Sequence, residues 1–225
     1  PETYVDRAIE FVSANQDQPF YLRVFPTDVH DGHMPSDEQR AKWEGLSDTP
    51  PDQEFFAVLD EMDRQIGRLL DTIDQLKLSE QTLILCPSDT GPPAWPRYYK
   101  AGYDPPGFTG PWFGRKWSQF EGGIRMPFMA RWPGKIPAGV PDYSTVMAAI
   151  DVLPTVASLV GARYDGAATD GENLSDALLG KPVTRKAPLC WEYGVHGSIK
   201  PGKKEHVSPQ LAIRDGNWKL LCNPD

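Results

Sequence analysis

The sequence is short of cysteine, of basic residues and of long apolar runs, and each shortage excludes a class of protein. Its three cysteines are too few for a disulfide framework and too scattered for a zinc site. Lysine and arginine total 23 against 31 aspartates and glutamates, and the resulting net charge of −8 argues against a general nucleic-acid binder. No apolar run is long enough to cross a membrane. We therefore expect neither a nucleic-acid partner nor a membrane partner.

The composition is otherwise that of an ordinary globular protein with long ordered loops. Hydrophobic residues make up 40% of the chain and charged residues 24%, while proline (23) and glycine (20) are both plentiful. An acidic overall balance is compatible with an anionic substrate, because a site needs only a few converging cations and a metal. The chain begins with proline rather than methionine, and we expect it to start within a longer protein.

The first half of the sequence has the element order of a βαβ unit. Apolar spacing predicts a helix over residues 2–14 and a long helix over residues 55–76. Residues 20–25 are β-rich, and residues 82–86 form a short apolar run typical of a strand buried in a parallel sheet. We therefore predict an α/β fold with a mostly parallel sheet flanked by helices.

The second half predicts a change of architecture towards the end of the chain. A strand is expected over residues 126–132, followed by a helix in two pieces over residues 146–160, because Pro154 suits the first turn of a new helix. A hairpin is predicted near residues 211–221, with Asp-Gly at residues 215–216 as its turn.

These patterns divide the chain into three segments. Residues 1–162 are expected to form the α/β domain, residues 163–186 a polar linker, and residues 187–225 a small antiparallel β subdomain.

Candidate chemical groups follow or precede the predicted strands. Asp89 and Thr90 come after the second strand, His30 comes after the first, and Lys116 lies in the loop ahead of the third. Ligands of open α/β sheets collect beyond the carboxyl ends of the strands. Aspartate offers the hard oxygen that Ca²⁺ or Mg²⁺ prefers. Taken singly, each residue also fits a turn, a loop histidine or a surface lysine.

The order and spacing of several short motifs resemble the sulfatase family. Phe-Pro-Thr-Asp-Val-His at residues 25–30 is similar to the segment whose histidine contacts the sulfate ester, and Ser-Asp-Thr-Gly-Pro at residues 88–92 is similar to the calcium-binding Ser-Asp-Asn-Gly-Pro. Gly-Arg-Lys at residues 114–116 and Glu-Gly-Gly-Ile-Arg at residues 121–125 are similar to the segment whose lysine holds the sulfate. Further matches follow in the expected order at residues 150–155, 170–175 and 212–220.

The resemblance implies a role for each candidate residue. Asp89 and Thr90 would be ligands of Ca²⁺, with threonine standing where the family has asparagine. Lys116 and His30 would contact the sulfate oxygens as catalytic residues, and the histidine could protonate the departing alkoxide. Arg125 and Glu121 are expected to pair and shape the loop. The implied fold is alkaline-phosphatase-like and incomplete in this chain.

The family's nucleophile motif is missing from the sequence. Sulfatases attack with a formylglycine made from cysteine or serine in Cys/Ser-x-Pro-x-Arg, and neither Cys-Pro at residues 86–87 nor Cys-Asn-Pro-Asp at residues 222–225 includes the arginine. We therefore expect a fragment that holds the rear half of a sulfatase site and is inactive alone. The parent would be a calcium-dependent sulfuric ester hydrolase, periplasmic or extracellular on the family resemblance; its oligomeric state is left open.

Two other functions stay compatible with these residues, and the substrate is not fixed. A phosphate or phosphonate ester hydrolase of the same superfamily would bind its metal through similar types of ligands. A non-catalytic module could bind sulfated glycans without cleaving them. Residues 92–117 are rich in tryptophan, tyrosine and phenylalanine, which suits stacking against a sugar ring and would make the substrate a sulfated carbohydrate. The same rings could instead pack the loop down.

Overall fold

The computed structural model of the protein describes residues 1–163, 169–194 and 201–222. Groups of helices are separated by single strands as far as β3, and two further strands end the described chain. Its helices are α1 (Glu2–Ala14), α2 (Asp37–Ala41), α3 (Pro50–Gln75), α4 (Pro96–Lys100), α5 (Glu121–Ile124), α6 (Val152–Val160) and α7 (Ser175–Leu178). Its strands are β1 (Ile84–Pro87), β2 (Phe128–Arg131), β3 (Leu189–Glu192), β4 (Leu211–Asp215) and β5 (Trp218–Cys222).

Helices α1 and α3 pack together and confirm both predicted helices. The buried face of α1 carries Val5, Ala8 and Val12, which recur at the spacing of one helical face. Helix α3 begins after Thr49, whose hydroxyl accepts a hydrogen bond from the Asp52 amide at 3.3 Å, and proline fills its first turn.

The parallel part of the predicted sheet is not confirmed. Strands β1 and β2 pair antiparallel, and β3, β4 and β5 form a second antiparallel sheet in that order. Helices and strands both contribute to the fold, with α1 to α3 ahead of β1, α4 and α5 ahead of β2, and α6 and α7 ahead of β3, which is compatible with the predicted α/β class. The two sheets are small, with two and three strands.

Residues 20–25 do not form the predicted strand. Their exposure alternates along the chain, and Tyr21 and Phe25 remain 77% and 63% exposed. A strand requires a neighbour for its backbone hydrogen bonds, and no described residue pairs with this segment. The strand predicted over residues 20–25 is therefore wrong.

The hairpin near the end of the chain is confirmed with its turn displaced by one residue. Asp215 pairs with Trp218, so the two turn residues are Gly216 and Asn217 rather than Asp215 and Gly216. Gly216 has a φ of 53°, a left-handed conformation that glycine adopts without steric cost.

Helix α6 confirms the predicted two-piece helix. A short 3₁₀ turn at Ala149–Asp151 leads directly into α6, with Pro154 in its first turn. Gly161 ends the helix in a left-handed conformation with a φ of 67°.

A buried ion pair fixes the start of α6 to later residues. Asp151 is 0% exposed and its carboxylate lies 2.6 Å from the guanidinium of Arg185, which is 7% exposed. The same carboxylate accepts hydrogen bonds from the amides of Ala148 at 2.7 Å and Glu172 at 2.8 Å. Residues near 172 and 185 are thereby held against α6.

The predicted domain boundaries stay a prediction. The linker over residues 163–186 includes residues 164–168, and the subdomain over residues 187–225 includes residues 195–200 and 223–225, all of which lie outside the described residues. In the part of the chain that the structure describes, no helix combines the length and apolar character needed to span a membrane. Its three cysteines are free thiols.

Candidate active site

The loop after β1 presents the Asp89 carboxylate to solvent. The Ser88 amide donates to the Pro127 carbonyl at 3.0 Å, which extends the β1–β2 pairing by one step before the chain turns away. Asp89 is exposed, and among the described residues no donor bonds its carboxylate. Thr90 is half-buried, and its hydroxyl donates to the Gly91 carbonyl at 3.3 Å. Both side chains therefore keep oxygen lone pairs that could bind a cation.

The loop is held by a close contact between Gly91 and the glycine pair of α5. The Gly91 amide donates to the Gly123 carbonyl at 3.0 Å. A Cβ atom at residue 91 would lie 2.0 Å from the carbonyl oxygen of Gly122, so only glycine fits. This contact explains the Glu-Gly-Gly sequence of α5 and joins it to the loop that carries Asp89.

Gly91→Ala is expected to destabilise the protein by about 1–3 kcal/mol, because backbone atoms would have to move to admit the methyl group. Gly67→Ala in α3 is the matched control, since its Cβ meets nothing within 4 Å and alanine favours a helix by about 1 kcal/mol. Urea unfolding of both variants measures the difference, and equal stabilities would contradict the proposed contact.

Lys116 is attached to the same loop through its backbone. Its amide donates to the Pro92 carbonyl at 2.9 Å, two residues after Thr90. The side chain is half-buried, and none of the ion pairs among the described residues involves its ammonium group. The backbone of Lys116 is therefore fixed beside the loop that carries Asp89, and no ion pair among the described residues neutralises its side chain.

Arg115 ties together the loop around residues 93–107 through its guanidinium group. The sequence analysis assigned this residue no role. Its guanidinium donates to the Pro93 carbonyl at 3.0 Å and to the carbonyls of residues 105–107 at 2.7, 3.0 and 3.0 Å. Burial lowers the pKa of Arg115 from its ordinary value. No carboxylate pairs with it among the described residues, so its charge adds to the positive potential near Lys116.

His30 lies on a separate loop that is fastened to α4. Its exposed ring has Nδ1 3.2 Å from the Asp31 carbonyl. The Asp31 carboxylate is 4% exposed and accepts hydrogen bonds from Arg97 at 2.6 Å and from the Tyr98 hydroxyl at 2.5 Å. Burial, followed by the hydrogen bond to Asp31, raises the pKa of Tyr98. Sequence reasoning did not identify this anchor, although Asp31 directly follows the candidate histidine.

The three predicted segments are thus connected through residues 91–98. The Asp89 loop contacts Lys116 through the backbone of Pro92. Helix α4, which begins five residues after Gly91, contacts the His30 loop through side-chain hydrogen bonds to Asp31. That the carboxylate, ammonium and imidazole groups face one anion stays a prediction.

The predicted calcium site is only partly supplied by this chain. Ca²⁺ takes about six to eight oxygen ligands, and Asp89 and Thr90 offer only a minority of them. In the described ranges no three residues of the His, Cys, Asp and Glu types lie close enough together to hold a metal ion. The free carboxylate of Asp89 and the lone pairs of Thr90 fit part of a calcium shell.

Glu121 joins α5 to the hairpin formed by β4 and β5. Its carboxylate lies 2.7 Å from Lys219 and 3.7 Å from both Arg125 and Arg214. The predicted pairing of Glu121 with Arg125 is confirmed. The ion pairs of Glu121 with Arg214 and Lys219 were not predicted, because nothing in the sequence relates residue 121 to residues about one hundred positions later.

A Lys-x-His triplet at residues 204–206 also escaped sequence reasoning. The His206 ring meets the edge of Phe113 with centroids 5.7 Å apart, and burial lowers the pKa of this histidine. The triplet follows Lys116 in the chain, and no contact joins it to Asp89 or Lys116 among the described residues. It receives no role in the candidate site.

Comparison with known proteins gives the family of the chain. A family model described as Sulfatase matches residues 1–162. Among curated proteins, N-acetylgalactosamine-6-O-sulfatase of Bacteroides thetaiotaomicron is 29% identical over 96% of this chain and 39% of its own length. Human arylsulfatase A is 31% identical over 91% of this chain and 36% of its own length.

The solved structure of Ps i-CgsB in complex with k-i-k-neocarrahexaose has the same fold. It matches with a TM-score of 0.78 and 24% identity, covering 99% of this chain and 46% of the other. The likeness supports the α/β class of the fold. The chain belongs to the sulfatase family. It spans less than half the length of the relatives it matches.

Proposed function

We propose that the full-length protein hydrolyses sulfate esters at a site built in part from Asp89, Thr90, Lys116 and His30. The observation that supports this proposal is the backbone hydrogen bond between Lys116 and Pro92, which attaches the residue that carries an unpaired ammonium group to the loop that carries an unpaired carboxylate. A cation next to a metal-binding carboxylate is suited to a sulfate group bound on a metal.

Each residue has a separate role in the proposed reaction. Lys116 donates to a sulfate oxygen and stabilises the negative charge that increases as the ester bond breaks. His30 donates to a second oxygen and can protonate the departing alkoxide. Arg115 holds the Lys116 loop in position through its four carbonyl contacts.

Asp89 and Thr90 would supply part of the coordination shell of Ca²⁺. The ion would supply a Lewis acid that withdraws charge from the sulfate oxygens. Asp89 contributes a negatively charged ligand and Thr90 a neutral hydroxyl, which is shorter than the asparagine amide of the family motif. We expect the metal to bind more weakly than it would with asparagine at residue 90.

The nucleophile and the remaining metal ligands are proposed to come from a part of the full-length protein outside these 225 residues. The sequence includes no Cys/Ser-x-Pro-x-Arg motif. The relatives are more than twice as long as the region they share with this chain, which leaves room for a formylglycine nucleophile elsewhere.

The proposed substrate is the sulfate ester of a carbohydrate. One relative is named for N-acetylgalactosamine 6-O-sulfate, and the loop ahead of α5 exposes aromatic rings, including Trp112 at 39% and Phe113 at 52%. Another relative is a choline-sulfatase, so a small sulfate ester is the competing substrate class. We propose a periplasmic or extracellular location, where sulfated polysaccharides are met.

Hydrolysis of a chromogenic aryl sulfate with added Ca²⁺ tests the function. The full-length protein is expected to release the phenol, and the 225-residue chain is expected to show no turnover above background, because it lacks the nucleophile motif. Preference of the full-length protein for the matching aryl phosphate would favour a phosphate ester hydrolase. Turnover by neither protein, with retained binding of sulfated glycan, would favour a non-catalytic module.

A further inference from the structure

A cleft of about 250 Å³ opens between the loop ahead of α5 and the hairpin of β4 and β5. Its walls are aromatic and aliphatic, with charged groups where they meet. The lining residues are Trp112, Phe113, Phe120, Glu121, Lys219 and Leu221. None of the proposed catalytic or metal-binding residues lines it.

The aromatic walls remain open to solvent. Trp112 is 39% exposed and Phe113 is 52% exposed, while Phe113 stands edge-on against Phe120 with centroids 4.8 Å apart. Flat rings fixed at an angle to one another suit the apolar face of a sugar ring better than a flexible aliphatic chain. The cleft has about the room of one sugar ring.

Positive charge is in excess around the cleft. The Glu121 carboxylate is the shared partner of Lys219, Arg214 and Arg125, so three cations meet one anion. Arg125 is 42% exposed, and its guanidinium lies 4.2 Å from the centroid of the Trp112 ring. An anionic substituent on a sugar stacked in the cleft would therefore meet an arginine beside the aromatic ring.

The cleft is adjacent to the candidate active site. Glu121 begins α5, whose Gly123 carbonyl accepts the amide of Gly91 in the Asp89 loop at 3.0 Å. Residues 112 and 113 precede Lys116 in the same loop, and the Phe113 carbonyl accepts the Gly122 amide at 2.8 Å. A glycan chain longer than one residue could reach from one site to the other.

We infer that this cleft is a second subsite, which binds a sulfated sugar of the substrate chain without cleaving it. Trp112 and Phe113 stack on the sugar ring, and Arg125 pairs with its sulfate. The inference rests on the proposed function in one respect, namely that the substrate is a sulfated glycan. The subsite would make the protein prefer oligosaccharides to small sulfate esters.

Calorimetric titration with a chondroitin 6-sulfate tetrasaccharide tests the subsite. Trp112→Ala is expected to weaken binding about tenfold or more, as truncation of a buried aromatic anchor commonly does. Phe108→Ala is the matched control, because this 89% exposed ring lies in the same loop and does not line the cleft. Its affinity should equal that of the wild type. If Trp112→Ala does not fold, Trp112→Leu replaces it in the titration, because leucine keeps an apolar side chain at this position without the aromatic ring.

The contribution of the Arg125 charge is tested separately from that of the Trp112 ring. Arg125→Gln is expected to weaken binding of the tetrasaccharide and to flatten its dependence on sodium chloride, because one screened ion pair is lost. The desulfated tetrasaccharide should bind the wild type more weakly and should not distinguish it from Arg125→Gln. Equal binding of the sulfated and desulfated sugars would overturn the inference.

Failure of the subsite can be told apart from failure of the proposed function. If Lys116→Ala abolishes tetrasaccharide binding while Trp112→Ala leaves it unchanged, the glycan binds only at the candidate active site and the subsite is refuted. If Trp112→Ala weakens binding but the full-length protein hydrolyses no sulfate ester, the subsite stands and the hydrolase proposal fails.

Discussion

Lys116→Ala is expected to lower kcat/KM of the full-length protein for an aryl sulfate by about 10²–10³-fold, the usual loss when one donor to a developing oxyanion is removed. Lys116 is half-buried, its backbone is bonded to the Asp89 loop, and no carboxylate pairs with its ammonium group among the described residues. Its interaction with the sulfate strengthens as charge increases, so the loss should appear mainly in kcat. Steady-state kinetics at saturating Ca²⁺ measure the effect.

Lys135→Ala is the matched control for this measurement. Lys135 is an exposed lysine in the turn after β2, and it contacts none of the candidate site residues. Its removal should leave both kcat and KM at their wild-type values. A Lys116→Ala variant with wild-type kcat/KM would show that residue 116 does not contact the sulfate, and the proposed site would then have to be rebuilt without it.

Asp151→Ala is expected to reduce the free energy of unfolding by about 3–5 kcal/mol, the cost of leaving one partner of a buried ion pair without the other. Arg185 is 7% exposed and would be left with its charge unpaired. The amides of Ala148 and Glu172 would also lose their acceptor. Urea denaturation at unchanged m-value measures the loss in stability.

The exposed pair of Asp176 and Lys181 provides the comparison. These side chains are 59% and 66% exposed at a separation of 2.9 Å, so Asp176→Ala should cost about 0–1 kcal/mol. The double variant Asp151→Leu with Arg185→Met should recover part of the lost stability, because the unpaired charge is removed. Similar losses for Asp151→Ala and Asp176→Ala would mean that burial does not decide the strength of the pair.

The sequence predicted those features of the fold that depend on local spacing. Helix α1 and the two-piece helix ending at Gly161 follow from apolar periodicity and from the preferences of proline and glycine. The pairing of strands is a long-range property, which explains why residues 20–25 were assigned to a ladder that the described chain does not contain. The hairpin turn was displaced by one residue for a similar reason, since Asp-Gly and Gly-Asn both suit a tight turn.

The candidate site was predictable only where it matched a family motif. Asp89, Lys116 and His30 were selected by their order along the chain, and the structure joins their backbones without testing their roles. Arg115 and Asp31 were missed because their partners are mainly backbone carbonyls or distant side chains, which leave no pattern in the sequence.

The attachment of the hairpin to Glu121 limits how this protein can be dissected. Lys219 donates both to the Glu121 carboxylate at 2.7 Å and to the Gln119 carbonyl at 2.6 Å. A shortened protein that stops before β4 would lack Lys219. The Gln119 carbonyl and the Glu121 carboxylate, which lie directly before the glycine pair of α5, would then lose this hydrogen-bond donor. Expression boundaries chosen between the α/β portion and the antiparallel strands would therefore disturb the segment next to the candidate active site, although the cut would fall far from it in the sequence.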